Sequence, residues 1–290
     1  MAYPTVSAPY GLKPVNLIGG RVYSGSTRMV PIVNGYGTSL YNGDVVQLGA
    51  SGANIGNLIT STLAYNTTSA VAGTIGVFVG CEYSTTGGPI YGKNRYQYWN
   101  ASTSAPDAIG YVVDDPQALF RTAVVQGGSA QSQTVIYASP AFVGANVFYS
   151  GVGGSTTTGD STAGVALATT AYSQSSSSAV APITSGAPFR IVQLVPDTAV
   201  TVAQNATSSS TTITLSATNS GIYPGMLVSG PGINSGSNTW VTAVNGTAVT
   251  INQAVTTAQS TATQFSFTGY PEVIVGWNFG FHSYFNATGV

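Results

Sequence analysis

The chain has 290 residues, is 43% hydrophobic and only 5% charged, and carries seven Lys and Arg against eight Asp and Glu. A chain of that length can bury one large or two medium cores, and an aromatic content of 10% excludes a polar disordered chain. It has no basic cluster for nucleic acid, no run near the roughly 18 apolar residues of a membrane helix, and in Cys81 a single cysteine, which excludes an internal disulfide framework.

A typical soluble domain is about 25% charged, so this near-neutral surface suits a protein that spends its life docked. Glycine (36), proline (14) and abundant β-branched residues predict many short strands joined by turns. The expected class is all-β: an antiparallel β-barrel or sandwich base domain, with a second small β-sandwich domain inserted near the C-terminus. The opening MAYPTVSAPYGLKP lacks a basic then apolar leader, so synthesis in a cytoplasm is expected.

In chain order, residues 1–35 alternate prolines with short apolar pieces and predict an extended N-terminal arm with one or two edge strands. In LYNGDVVQL, Asn42-Gly43 supplies a turn and Asp44–Leu48 a strand. Strands follow at Thr60–Ala64 and Ala72–Tyr83, where Ile75, Val77 and Val79 alternate with Gly76, Phe78 and Gly80. Gly80 marks a candidate bulge. Thr134–Tyr137 and Ala145–Tyr149 continue the pattern, Ser150–Ser161 reads as a flexible Gly/Thr loop, Ala171–Ser185 as a Ser-rich linker or surface loop, and Phe189–Val195 as a strand.

Composition changes after Pro196-Asp197, and no charged residue occurs from Ala199 to Phe267. Strands are expected there at Thr211–Ser216, Met226–Ser229, Thr239–Val244, Thr247–Asn252 and Thr263–Thr268, with Asn245-Gly246 as a type I′ hairpin turn. Because PEVIVGW would pair beside FRIVQLV, residues 199–267 are read as an insertion in a base domain made of 36–198 plus 268–290.

Gly76–Phe120 concentrates the cysteine, four acids and five tyrosines. Asp114, Asp115 and Pro116 suggest a structural turn, with one Asp capping a short helical turn over PQALF or paired with Arg121 or Arg95. His282, the sole histidine, reads as an aromatic-strand residue. One His and one Cys cannot supply a transition-metal set, and GVGGST lacks the Lys and βαβ context of a phosphate loop. No catalytic, metal or cofactor residue is assigned, and a structural or binding role is expected rather than an enzyme.

GVFVGCEY, a Gly/Pro turn, YW and then YVVDDPQALF resemble a family of tailed-phage head proteins, particularly from phages of marine bacteria, that decorate or cement the icosahedral capsid. LYNGDVVQL and PFRIVQLV with YPEVIVGWN fit the same pattern, so the resemblance covers about residues 5–198 and 268–290. Phe120-Arg121-Thr122-Ala123 departs from the FxxQ of that pattern, and the insertion is extra. The insertion, through GMLVSGPGI and WVTAVNGTAVTI, resembles small β modules of phage virion proteins that project outward and touch surfaces or glycans.

The resemblance implies a decoration protein on the capsid outer surface, assembled in the host cytoplasm and bound to the major capsid protein as a homo-oligomer, dimer or trimer. The alternative is a tail or fibre-associated protein that binds host surface glycan through the insertion. Tyr96, Tyr98 and Trp99, with Arg95 and Tyr10, are the expected capsid-docking residues. Neither nucleic acid nor membrane is an expected partner.

Overall fold

The computed structural model describes residues 8–61, 63, 73–84, 92–125, 143–151, 153–166, 186–195, 201–234 and 239–285. The expectations for residues 1–7, Thr134–Tyr137, Ala171–Ser185 and Pro196-Asp197 lie outside them. In chain order the strands of the larger unit are β1 (Lys13–Leu17), β2 (Arg28–Pro31), β3 (Val45–Leu48), β4 (Leu58–Thr60), β5 (Thr74–Tyr83), β6 (Asn94–Tyr96), β7 (Ile109–Val113), β8 (Ala118–Ala123), β9 (Asn146–Ser150), β10 (Gly164–Ala166) and β11 (Phe189–Val195). Then come β12 (Thr201–Ser209), β13 (Thr212–Leu215), β14 (Leu227–Ser229), β15 (Val241–Asn245), β16 (Ala248–Ile251) and β17 (Gln259–Thr268), and finally β18 (Glu272–Trp277). The only helical pieces among the described residues are two three-residue 3-10 turns, Gly52–Asn54 and Ser283–Phe285, so the protein is all-β.

Among the described residues the strands form three antiparallel sheets. The first runs β1-β8-β18-β11-β9-β10. It curls until β10 meets the chain just past β8, where Val125 N–H donates to Val165 O at 2.9 Å. The second runs β2-β7-β5-β3-β4, with β6 on the remaining edge of β5. Phe120, Val147, Phe189 and Val275 of the first sheet meet Val45, Val77 and Val113 of the second in the main core. The other face of the second sheet is covered by Leu40, Trp99, Ala105 and Ala108 from connecting segments. This sheet is therefore buried on both faces, which explains the nearly continuous apolar run of β5.

β5 carries two bulges. Against β3 the register slips at Ile75-Gly76, and against β7 at Val79-Gly80. Each inserts an extra residue and turns the strand, so Ile75 and Val77 enter different cores. The simple alternation read from the sequence fails at these two glycines for that reason.

Residues 8–35 supply the two edge strands expected of this stretch, β1 on the first sheet and β2 on the second, and Leu12, just ahead of β1, is fully buried. Gly11 and Gly43 cross backbone to backbone. A Cβ on either would sit 2.8 Å from the other's Cα, and both have positive φ. The 150–161 loop is tied down in its described part, where Thr162 N–H donates to Gly153 O at 2.8 Å and Asp160 holds Lys13 at 2.6 Å.

The third sheet, β14-β17-β12-β13-β16-β15, uses residues 201–268 alone. Its two ends meet, because Val241 N–H donates to Met226 O at 2.9 Å and Val228 N–H to Thr239 O at 2.8 Å. The closed wall encloses Ile213, Val228, Val249, Phe265 and Phe267. Strand β12, which lies at its centre, is absent from the sequence-predicted set. The hairpin turn falls one residue later than predicted: Asn245 pairs with Ala248, and Gly246 (φ 59°) with Thr247 forms the loop. A bulge at Thr242 shifts the register, and a glycine at the first loop position fits a II′ turn.

β11 and β18 flank this sheet in sequence and pair with one another from Phe189↔Trp277 to Val195↔Glu272. At the junction Tyr270, with Ala123 and Val125, forms a small cluster against which Tyr223 of the small barrel packs.

Candidate functional site

The bulge at Val79-Gly80 and the segment before β2 leave a cleft of about 430 Å³, lined among others by Asn42, Cys81, Arg95, Tyr96, Gln97 and Tyr111. β6 and β7 flank β5 here, setting Glu82 opposite both Arg95 and Ile109. The Arg95 guanidinium lies 4.6 Å from the centre of the Tyr111 ring, whose hydroxyl donates to Glu82 Oε2. A planar cation, a phenol and two amides suit hydroxyl or carboxylate groups on a partner surface. Burial pushes the Cys81 thiol up to about 12, and it donates weakly to Tyr98 O at 3.4 Å, so it stays protonated and unreactive.

The structure brings some of the sequence-predicted docking residues together and separates others. Arg95 is exposed, while Tyr96 is half-buried and stacks on Tyr83 at 4.3 Å. Tyr98 is half-buried against Tyr41 at 5.6 Å. Trp99 is 0% exposed, its indole N–H donating to Tyr36 O at 3.2 Å and its ring edge-on to Tyr83. It is a core residue and offers nothing to a partner. Tyr10 lies elsewhere and donates its hydroxyl to Glu272.

At the Asp114-Asp115-Pro116 turn, Asp115 accepts from Gln117 N–H at 2.8 Å. Asp114 takes the Tyr284 hydroxyl and lies 3.8 Å from Arg28. Arg121 and Arg95 are engaged elsewhere, so neither is the ion-pair partner. PQALF is no helical turn: its last three residues begin β8. His282 stands in a turn past β18 rather than on a strand, fully buried between Trp277 and Tyr284. Burial lowers its basicity, so it packs as a neutral ring.

Two buried acids carry structural weight that motif reading misses. Asp44 accepts from Tyr41 N–H at 2.8 Å and from the Ser161 hydroxyl at 2.5 Å, beside a 210 Å³ cavity that Tyr149 also lines. Burial raises its carboxyl to about 6, against the lowering effect of those donors and of Lys13. Glu272, 1% exposed, is gripped by Arg121 through both oxygens and by Tyr10. The available signal was an acid leading an apolar run, in DVVQL and EVIVGW.

All seven acids among the described residues have partners within the chain: besides those above, Asp107 binds Ser84 and Asp160 binds Lys13 and Gln97. Among the described residues no three His, Cys, Asp or Glu are grouped to hold a metal ion. No protein-family model, curated protein or solved structure matches the chain.

Proposed function

We propose that this chain is a virion structural protein that decorates the outer surface of an icosahedral phage capsid by binding the major capsid protein lattice. The family reading comes from the resemblance of Gly76–Phe120 and its companion motifs. The structural observation that supports it is the internal use of charge: the described acids bind the chain's own donors and leave a neutral exterior. Such an exterior suits large contacts built from strand edges, apolar burial and neutral hydrogen bonds, and a structural rather than catalytic role. The Arg95–Tyr96 cleft is one docking face, and oligomerisation on the lattice would be as a dimer or trimer. The test is quantitation of purified particles: the chain should be present at a fixed ratio to the shell protein and be lost with the heads, not the tails. Presence only on tails would overturn this.

A second reading has its own support. The outer wall of the small barrel sets Asn205 beside Gln264, Thr207 beside Thr214 and Thr212 beside Thr250. This uncharged lattice of hydroxyls and amides could bind a host glycan in a tail or fibre-associated protein. Deleting 199–267 should then abolish adsorption and leave heads intact; unchanged adsorption excludes it.

A further inference from the structure

The outer face of the first sheet carries a patch unlike the rest of the surface. Arg190 on β11 is exposed and, alone among the seven basic residues, its side chain makes no hydrogen bond, ion pair or ring contact among the described residues. Its strand neighbours are Asn146 and Gly276. At Gly276 the Leu119 and Val192 side chains close over the backbone: a Cβ there would lie 3.0 Å from Leu119 and 3.6 Å from Val192. Val192 is the extra residue of the β11 bulge and is 38% exposed. Gly144 N–H donates to Ile191 O at 2.8 Å, which brings Val143, 50% exposed, beside Val192. Phe279, 84% exposed, lines with Arg190 a concavity of about 370 Å³. Its wall is fixed, because the Asn278 amide donates to Asn146 Oδ1, Ala187 O and Phe189 O at 2.7–3.0 Å.

We infer that this face, centred on Arg190 and Phe279, is a protein-docking surface whose occupant presents a carboxylate to Arg190 within an apolar surround. An exposed aromatic and an uncommitted arginine beside a rigid concavity match the composition of interface hot spots. The occupant is a different protein, not a second copy. Every acid among the described residues already has a partner within its own chain, so those of a second copy offer Arg190 no free carboxylate. Arg190 can hold a carboxylate with two parallel N–H donors, while Val143, Val192 and Phe279 exclude water around it. This rests on the decoration reading, under which the carboxylate is an Asp or Glu of the shell subunit.

The test uses the full chain and capsids lacking it, with occupancy measured by sedimentation. Arg190→Glu should weaken binding about 100-fold and Phe279→Ser about 10-fold, with Arg190→Lys between wild type and Arg190→Glu. Both positions are solvent-facing, and unchanged thermal unfolding of the three variants would show that the fold is intact. Wild type and variants binding within about twofold of each other would overturn the inference and leave the decoration reading standing. No binding by wild type would overturn both. A change of oligomeric state in Arg190→Glu, seen by analytical ultracentrifugation, would make the face a self-contact and also overturn it.

Discussion

Tyr223 of the small barrel lies nearly parallel to Tyr270 at the root of β18, with ring centres 6.5 Å apart and planes 16° from parallel. Tyr270 is buried against Ala123 and Val125, so this stack is where the charge-free sheet is seated on the larger unit. At Gly225 a Cβ would fall 2.0 Å from the Tyr270 hydroxyl, which shows how closely the two surfaces approach.

Tyr223→Ala should therefore loosen the seating without unfolding either core. Loss of an aromatic pair costs about 0.5–1.5 kcal/mol beyond area. Small-angle scattering should show a larger radius of gyration and a broader distance distribution, with thermal unfolding of the larger unit little altered. An unchanged profile would mean that other contacts fix the orientation.

Asp44 makes stability depend on pH. Its folded carboxyl titrates at about 6, above the ordinary 3.8, so the folded state holds the proton more tightly between those values. That contribution is complete below the lower value and is lost as pH rises through the upper one. Wild type should lose about 2 kcal/mol between roughly pH 4.5 and 7.5 through this group. Asp44→Asn keeps an acceptor for Tyr41 N–H and should flatten that slope in urea unfolding. Parallel pH profiles for the two proteins would contradict it.

Glu272 and Arg121 form an asymmetric pair, the acid buried and the arginine side chain 39% exposed. Arg121→Met strands a buried carboxylate and should cost about 3–5 kcal/mol. Adding Glu272→Met should recover most of this, since the unpaired charge is gone. Tyr10→Phe removes one donor and should cost about 1–2 kcal/mol. Urea midpoints of wild type, Arg121→Met, Glu272→Met and the double variant form the cycle; additive losses would show that the pair is not coupled.

Cys81 is 1% exposed and its thiol is pushed up to about 12. In the native protein at mildly alkaline pH it should resist an aromatic disulfide reagent, then react with one equivalent on unfolding. Fast native reaction would place the thiol at the surface of the Arg95 cleft.

What could be read in the sequence depended on whether local pattern and tertiary context agree. FRIVQLV and EVIVGW are long apolar runs bounded by proline, and their pairing follows from that alone. Strand β12, TVAQNATSS, offers weak alternation and few apolar residues, yet it is central because β13 and β17 pair with its two edges. Trp99 looked like an interface aromatic because its cover, Leu40 and the residues around Tyr36, comes from about sixty positions earlier. The Ile75 and Val77 pattern failed at bulges that only the partner strands define. Arg190 is inconspicuous in FRIVQLV, since its significance is that no acid among the described residues pairs with it.

Val195 pairs with Glu272 on the larger unit and Thr201 with Thr268 on the small sheet, so on each side of the junction the two chain ends lie within the roughly 4.5–5.5 Å that separates paired Cα atoms. Any independently folding module whose own termini lie side by side meets the same boundary conditions. The β11–β18 hairpin is thus a socket into which foreign cargo could be grafted without disturbing the barrel beneath it.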